Sequence, residues 1–225
     1  MAVMTGTARP AAEKQWPEQG RWTYEDWLRL PDDGARYEVI DGVLHVTPPP
    51  GTDHQFSSFD LARAMAEHAD DHHLGIVLPA PIGVRVPGQD VPLQPDIVFV
   101  RSERAAIIEP KYIEGAPDIV VEVLSPSNWP YDRNEKFATY QAGGIPEYWT
   151  VDYRARTVEV FALEGGEYTL VDGIKREGDR ATSRVLTGFE IAVADVFRGA
   201  GGGGRDATMT LSNVRSLQRA TATVG

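Results

Sequence analysis

The chain has 225 residues, of which 42% are hydrophobic and 24% charged, the mix of an ordinary globular protein with enough length for one well-buried core. It contains no cysteine, which excludes disulfides, thiolate metal sites and cysteine nucleophiles, so any metal must sit on oxygen or imidazole. Acidic residues outnumber basic ones by 33 to 22, a formal net charge of −11.

Arg198, Arg205, Arg215 and Arg219 against Asp206 leave the tail after Phe197 at +3, and residues 1–20 balance, so residues 21–197 carry −14. Such a core is poorly suited to gripping a long polyanion, because non-specific affinity for nucleic acid comes from neutralised phosphates. A soluble acidic protein with no DNA substrate is the plain alternative. The first residues lack a basic stretch followed by an apolar block, and no run approaches the roughly 18 apolar residues that span a bilayer. A cytoplasmic protein with no membrane partner is expected.

Residues 1–20 show no apolar periodicity and are expected to be flexible, as is the glycine-rich tail 198–225; residues 21–197 form one domain. Thr23-Tyr24-Glu25-Asp26 predicts a capped helix start, closed by Pro31-Asp32-Asp33-Gly34. Arg36–Ile40 and Val43–Val46 flank Asp41-Gly42, a pair that accepts the positive φ values of a tight hairpin. Across 53–73, Phe56, Phe59, Ala62, Ala66 and Ala69 recur at three- and four-residue spacings and predict a helix with that face inward.

Strands are expected at Gly75–Leu78, Pro81–Val86, Asp96–Val100 and Ile119–Leu124, then a helix from Asp132 to Ala142 stopping at Gly143-Gly144. Glu147–Val151, Thr157–Leu163 and Tyr168–Val171 read as further strands. The order gives one α/β (α+β) domain with a mixed sheet. Its centre is Ile119–Leu124, apolar on both faces.

Glu122 lies inside that apolar run, and an ionised carboxylate in a dry interior must be paired, protonated or metal-bound. Asp96 opens a neighbouring strand after Pro95, so the two carboxylates can converge on one hard cation such as Mg²⁺, completed by carbonyl and water oxygens. The competing reading pairs Glu122 with an arginine or lysine and has Asp96 cap a strand end. Lys136 lies four residues from both Asp132 and Tyr140, on one stripe of the helix after Glu122, with Phe137 facing the core. Its ammonium can reach the space above the sheet and orient a water or offset charge on a phosphate; the alternative is a solvated lysine bonded to Asp132.

Several segments closely resemble the Uma-two family of bacterial endonucleases, a branch of the PD-(D/E)xK superfamily. They are Tyr37-Glu38-Val39-Ile40-Asp41-Gly42, Pro49 and His54, Gln94-Pro95-Asp96-Ile97-Val98, Pro117-Asp118 through Ser125-Pro126-Ser127, Asp132 through Lys136 with Tyr140, and Gly144-Ile145-Pro146-Glu147-Tyr148-Trp149. The resemblance runs over roughly residues 22–197 with its motifs in order. It implies a restriction-endonuclease-like fold, a mixed central sheet flanked by helices. It also implies that Asp96 and Glu122 bind Mg²⁺ or Mn²⁺, that the Val123 carbonyl adds a ligand, and that Glu38 is an outer or second ligand. The superfamily's lysine two residues after the glutamate is Leu124 here, and the family resembled carries one on the next helix, where Lys136 stands.

A metal-dependent DNA endonuclease follows from that resemblance, working as a homodimer because two strands need two sites. The rivals are a nuclease-fold binding or regulatory protein without catalysis, and a hydrolase of another phosphate ester. Among secondary candidates, Arg133 suits a DNA phosphate and Tyr140 is expected to pack beside Lys136 and orient it. Asp118 reads as structural, His54 as a locally packed helix-start residue over a role near the metal, and Tyr148 and Trp149 as core over base stacking.

Overall fold

The structure is a computed structural model and describes residues 16–124 and 132–200. The flexible ends expected at 1–20 and 198–225 therefore lie mostly outside the described residues, as does the side chain of Arg133.

Helix α1 (Tyr24–Trp27) starts in a capping box: the Asp26 N–H donates to Thr23 Oγ1 at 3.3 Å, and Asp26 Oδ2 accepts the Thr23 N–H at 3.2 Å. It stops a full turn before Pro31, and Trp27 donates its indole N–H to the Tyr37 carbonyl, fastening the helix to the hairpin. Strands β1 (Arg36–Ile40) and β2 (Val43–Thr47) form that hairpin, with Ile40 opposite Val43. Asp41 and Gly42 both take positive φ, 49° and 74°, the backbone of a type I′ turn.

Helix α2 (Thr52–Asp71) buries His54, Ser57, Ser58, Leu61, Ala62, Met65 and Ala69. Phe59 is 62% exposed, so the inward face is not the one centred on Phe56 and Phe59. The helix turns instead so that Leu61 and Met65, both long aliphatic side chains, meet the sheet, and only Ala62 and Ala69 of the expected face stay fully covered.

The central sheet has seven strands. Along its path run β10 (Glu167–Leu170), β9 (Thr157–Glu164), β8 (Glu147–Asp152), β7 (Ile119–Val123), β5 (Ile97–Arg101) and β3 (Gly75–Pro79); β11 (Lys175–Arg176) also pairs with β9. Only β7 and β8 pair in parallel, with Glu122 opposite Thr150; the neighbours on either side are antiparallel. The sheet is mixed, and β7 lies within it with every residue buried.

One face carries Ile97, Phe99, Val121 and Trp149 against α2, the C-terminal helix α4 (Val193–Val196) and strands β12 (Arg180–Thr182) and β13 (Glu190–Ala192). The other carries Val98, Val120 and Tyr148 against Tyr140 of helix α3 (Phe137–Ala142) and the small parallel pair β4 (Gly83–Arg85) and β6 (Tyr112–Glu114). Tyr148 and Trp149 are core, on opposite faces. The expected strands at 81–86 and 96–100 are narrower or shifted by a residue, and β6, β11, β12 and β13 are too short for alternation to reveal. The helix expected over 132–142 begins as a π-helical turn, Asp132–Lys136, before α3; such wide turns tend to mark functional sites.

Candidate functional site

Asp96 precedes β5 by one residue, and its N–H donates to the Val121 carbonyl at 3.0 Å. Extending the Ile97–Val121 register by one step puts Asp96 opposite Glu122, so both carboxylates leave adjacent strands on the same face. Glu38 arrives from β1 and Lys136 from the π-helical turn. All four expected side chains are buried: Glu38 is 1%, Asp96 1%, Glu122 2% and Lys136 1% exposed.

Lys136 Nζ lies 2.9 Å from Glu38 Oε2 and 3.0 Å from Glu122 Oε1. A solvated position for Lys136 is thereby overturned, because the ammonium is buried where two carboxylates compensate its desolvation; the Asp132 side chain, its other expected partner, lies outside the described residues. Tyr140 acts on Lys136 through a shared partner: its hydroxyl donates to Glu122 Oε1 at 2.6 Å, the same oxygen that Lys136 holds. Burial, and then the Glu122 and Glu38 charges, hold the Tyr140 phenol well above its usual range, and it remains a donor. The Gln94 N–H completes Glu38 by donating to its Oε1 at 2.8 Å.

Asp96 has its own partners. Arg36 Nη2 donates to Oδ1 at 2.8 Å, the Val123 N–H donates to Oδ2 at 2.7 Å, and His54 Nε2 sits 3.3 Å from Oδ2. Burial by itself would raise the Asp96 pKa, but the His54 hydrogen bond and the Arg36 charge win, and Asp96 stays ionised well below the usual carboxylate range. The sequence gives no sign of Arg36 at this site, and the His54 contact corresponds to the less favoured of its two readings, a role near the metal. His54 is not merely packed within its helix start, because the turn of α2 that exposes Phe59 aims the His54 ring at the sheet. His45, opposite Glu38 in the hairpin, was also missed; burial pushes its pKa down to about 4, so it is neutral at physiological pH.

Asp118, immediately before the strand that carries Glu122, is held by Arg104 at 2.8 Å and by the Arg101 N–H at 3.0 Å, a structural arrangement at the far end of β7.

Whether a divalent cation fits here is decided by the donors. Among the described residues no three His, Cys, Asp or Glu side chains stand close enough together to hold a metal unaided. Mg²⁺, however, is commonly bound through one or two carboxylates, with water and substrate phosphate supplying the rest. Asp96 and Glu122 meet that requirement, and all candidate donors are hard oxygens. Three carboxylates, Glu38, Asp96 and Glu122, face two cations, Arg36 and Lys136, which leaves one negative charge buried among these five groups. A cation fits that charge and that donor set.

Among the described residues no helix is long and apolar enough to cross a membrane. A comparison with curated proteins finds no match. Among solved structures, one described as a "putative nuclease belonging to DUF820 from Anabaena variabilis" is 19% identical, superposes with a TM-score of 0.64, and matches 78% of this chain and 97% of its own. At that identity the likeness shows the fold, a nuclease-like mixed sheet flanked by helices. The family model described as "Putative restriction endonuclease", Uma2, matches residues 24–194 and so takes in β1, α2, the central sheet and all of the buried cluster. This chain belongs to the Uma2 family.

Proposed function

We propose that this protein is a Mg²⁺- or Mn²⁺-dependent nuclease that hydrolyses DNA phosphodiester bonds, with Glu38, Asp96, Glu122 and Lys136 as its working side chains. The observation that carries the reading is the convergence of these four buried charges, drawn from positions 38 to 136, beside the central strand. A fold gains little by burying such a cluster, since well-packed apolar side chains of similar volume are often as stable or more so. Family membership in a group described by endonuclease activity supports the same reading.

Asp96 and Glu122, with the Val123 carbonyl, would hold the cation, and Glu38 stands as an outer ligand. When bound, the cation supplies charge neutralisation at the phosphate and a lowered pKa for an attacking water. Arg36 fixes Asp96 in its rotamer and ionised state. Tyr140 does the same for Glu122. Lys136, held between Glu38 and Glu122, orients the water or offsets charge developing on the phosphate. Leu124 at the usual lysine position is then no defect, because the ammonium reaches the same carboxylate from the following helix.

The test is nicking of supercoiled plasmid in Mg²⁺ and in Mn²⁺ by the wild type and by Asp96→Ala, with cation binding followed by calorimetry. Cleavage and cation binding by the wild type alone support the assignment; equal activity in both proteins refutes it. The acidic charge of residues 21–197 favours a second reading, a binding protein of the same fold without hydrolysis. Absence of cation binding and of cleavage on duplex, single-stranded, RNA and small phosphate-ester substrates would select it. A homodimer remains the expected assembly for double-strand cutting, measured by sedimentation.

A further inference from the structure

Beside the buried acids, α2 and the edge strand β3 enclose an open groove of about 450 Å³, within the size range of small-ligand sites. Its inner end is made by Asp96, Arg36 and His54, so it is continuous with the cluster described above. Its walls are apolar: Ala62 and Ala66 from α2, Val77 and Pro79 from β3, with Ala80 beyond. Phe59 stands at its margin, 62% exposed on a helix whose other face is fully packed. Gln55 and Ser58, one helical turn from Phe59 or adjacent to it, add polar groups to the same wall.

An exposed phenyl ring over small apolar residues, with amide and hydroxyl groups alongside and a candidate phosphodiester site at one end, matches one chemical class. From the geometry we infer that this groove seats an unstacked nucleobase of the substrate strand, next to the phosphate held at Asp96. Phe59 supplies the stacking face, Ala62 and Ala66 leave room for the ring, and Gln55 and Ser58 meet its polar edge. The lining of α2 from His54 to Ala66 extends about 18 Å at 1.5 Å per residue, longer than one base, so the strand enters along the helix.

The occupant is single-stranded DNA. A base can enter such a groove only when it is out of a duplex stack, and extruding one from a duplex costs several kcal/mol. The charge of −14 over residues 21–197 points the same way: it penalises the many phosphate contacts of a long duplex, whereas stacking is insensitive to it. His54, buried at the inner end, has an Nδ1 with no hydrogen-bond partner among the described residues, which adds a polar group where base and phosphate would meet.

The inference rests on reading the buried acids as a phosphodiester site, and the experiment separates the two. Fluorescence anisotropy, with Ca²⁺ as the cation, compares a labelled oligothymidylate with an abasic phosphodiester strand of equal length and with a duplex. The wild type should prefer the base-bearing strand by roughly five- to a hundredfold, the worth of a stacked base. Phe59→Ala, at an exposed position, and Ala66→Phe, which fills the groove, should bring oligothymidylate down to the abasic affinity and leave the abasic affinity unchanged. Equal wild-type affinity for both strands, no binding of either, a preference that survives Phe59→Ala, or a duplex bound more tightly than its single strands would each overturn the inference. Plasmid nicking and cleavage of the oligothymidylate, both in Mg²⁺, are measured in parallel. Cleavage of either without base preference removes the groove and keeps the nuclease; base preference without cleavage of either keeps the groove and removes hydrolysis.

Discussion

Replacing Lys136 by Met keeps the volume and removes the charge that two buried carboxylates share. In the wild type the ammonium lies 2.9 Å from Glu38 and 3.0 Å from Glu122, and all three groups are almost wholly out of water. Without it, Glu38 keeps the Gln94 N–H and Glu122 keeps the Tyr140 hydroxyl, but two negative charges face one another across a methyl group. Breaking a buried ion pair from one side costs about 3 to 5 kcal/mol, most of it the penalty of the charge left behind. Lys136→Met should lose that amount in urea unfolding at neutral pH, at unchanged m-value. Adding Glu38→Gln removes one stranded charge, so the double variant should be more stable than the single one, with an interaction energy of about 1 to 3 kcal/mol. A loss below about 1 kcal/mol in Lys136→Met, or strict additivity in the double variant, would refute the shared-charge geometry.

Mg²⁺ should raise the stability of Lys136→Met more than that of the wild type, because the variant has more uncompensated negative charge; at a hundred times Kd the gain is about 2.7 kcal/mol, read as a Tm shift. Equal shifts would place the cation away from Glu122. Tyr140→Phe removes one hydrogen bond to a buried carboxylate and should cost about 1.5 to 3 kcal/mol in the same unfolding assay, with the helical content unchanged. On acidification, the depressed Asp96 pKa means that the unfolded chain takes up a proton that the folded chain refuses. The stability it contributes is in place above about pH 4, the ordinary carboxylate value, and is lost as pH falls toward the lower folded value; Asp96→Asn should flatten that acid limb, and an unchanged limb would count against the Arg36 and His54 contacts. Gly75→Ala would set a methyl group against the Val100 carbonyl oxygen in the β3–β5 pair and should cost about 1 to 3 kcal/mol or more, measured by thermal unfolding.

The parts of this molecule that sequence reveals are those with local causes. The Asp41-Gly42 turn needs positive φ at two consecutive residues, and only its flanking alternation was required to place it. Glu122 stood out because a charge interrupted an apolar strand, and Asp96 because it follows a proline at a strand entrance. The partners of these acids have distant causes. Arg36 is 60 residues from Asp96 in sequence, and no property of Arg36-Tyr37-Glu38 separates a buried guanidinium from an exposed one. The face of α2 shows the same limit: phenylalanines at 56 and 59 and leucine and methionine at 61 and 65 define two competing stripes, and only the sheet beneath selects between them. The π-helical turn has no periodic signature at all, yet it determines that Lys136 faces inward.

The position of the lysine has a consequence for how the cluster is built. Leu124 lies two residues after Glu122, on the same side of the strand by alternation, and is buried. A lysine there would bring its charge from the strand that already carries the glutamate, linking that strand to itself. Supplied from position 136, the ammonium instead binds Glu122 of β7 and Glu38 of the hairpin at once, while Tyr140, one helical turn on, holds Glu122 from the same helix. Three elements far apart in sequence are therefore fixed around one nitrogen. The hairpin also carries Arg36, two residues before Glu38 and on the same face, which binds Asp96. Asp96 and Glu122 are thus each positioned by a cation that depends on the hairpin being in place: Asp96 by Arg36 directly, and Glu122 by a lysine that also binds Glu38. The hairpin, which contributes no strand to the central sheet, is consequently as necessary to the site's geometry as the sheet itself.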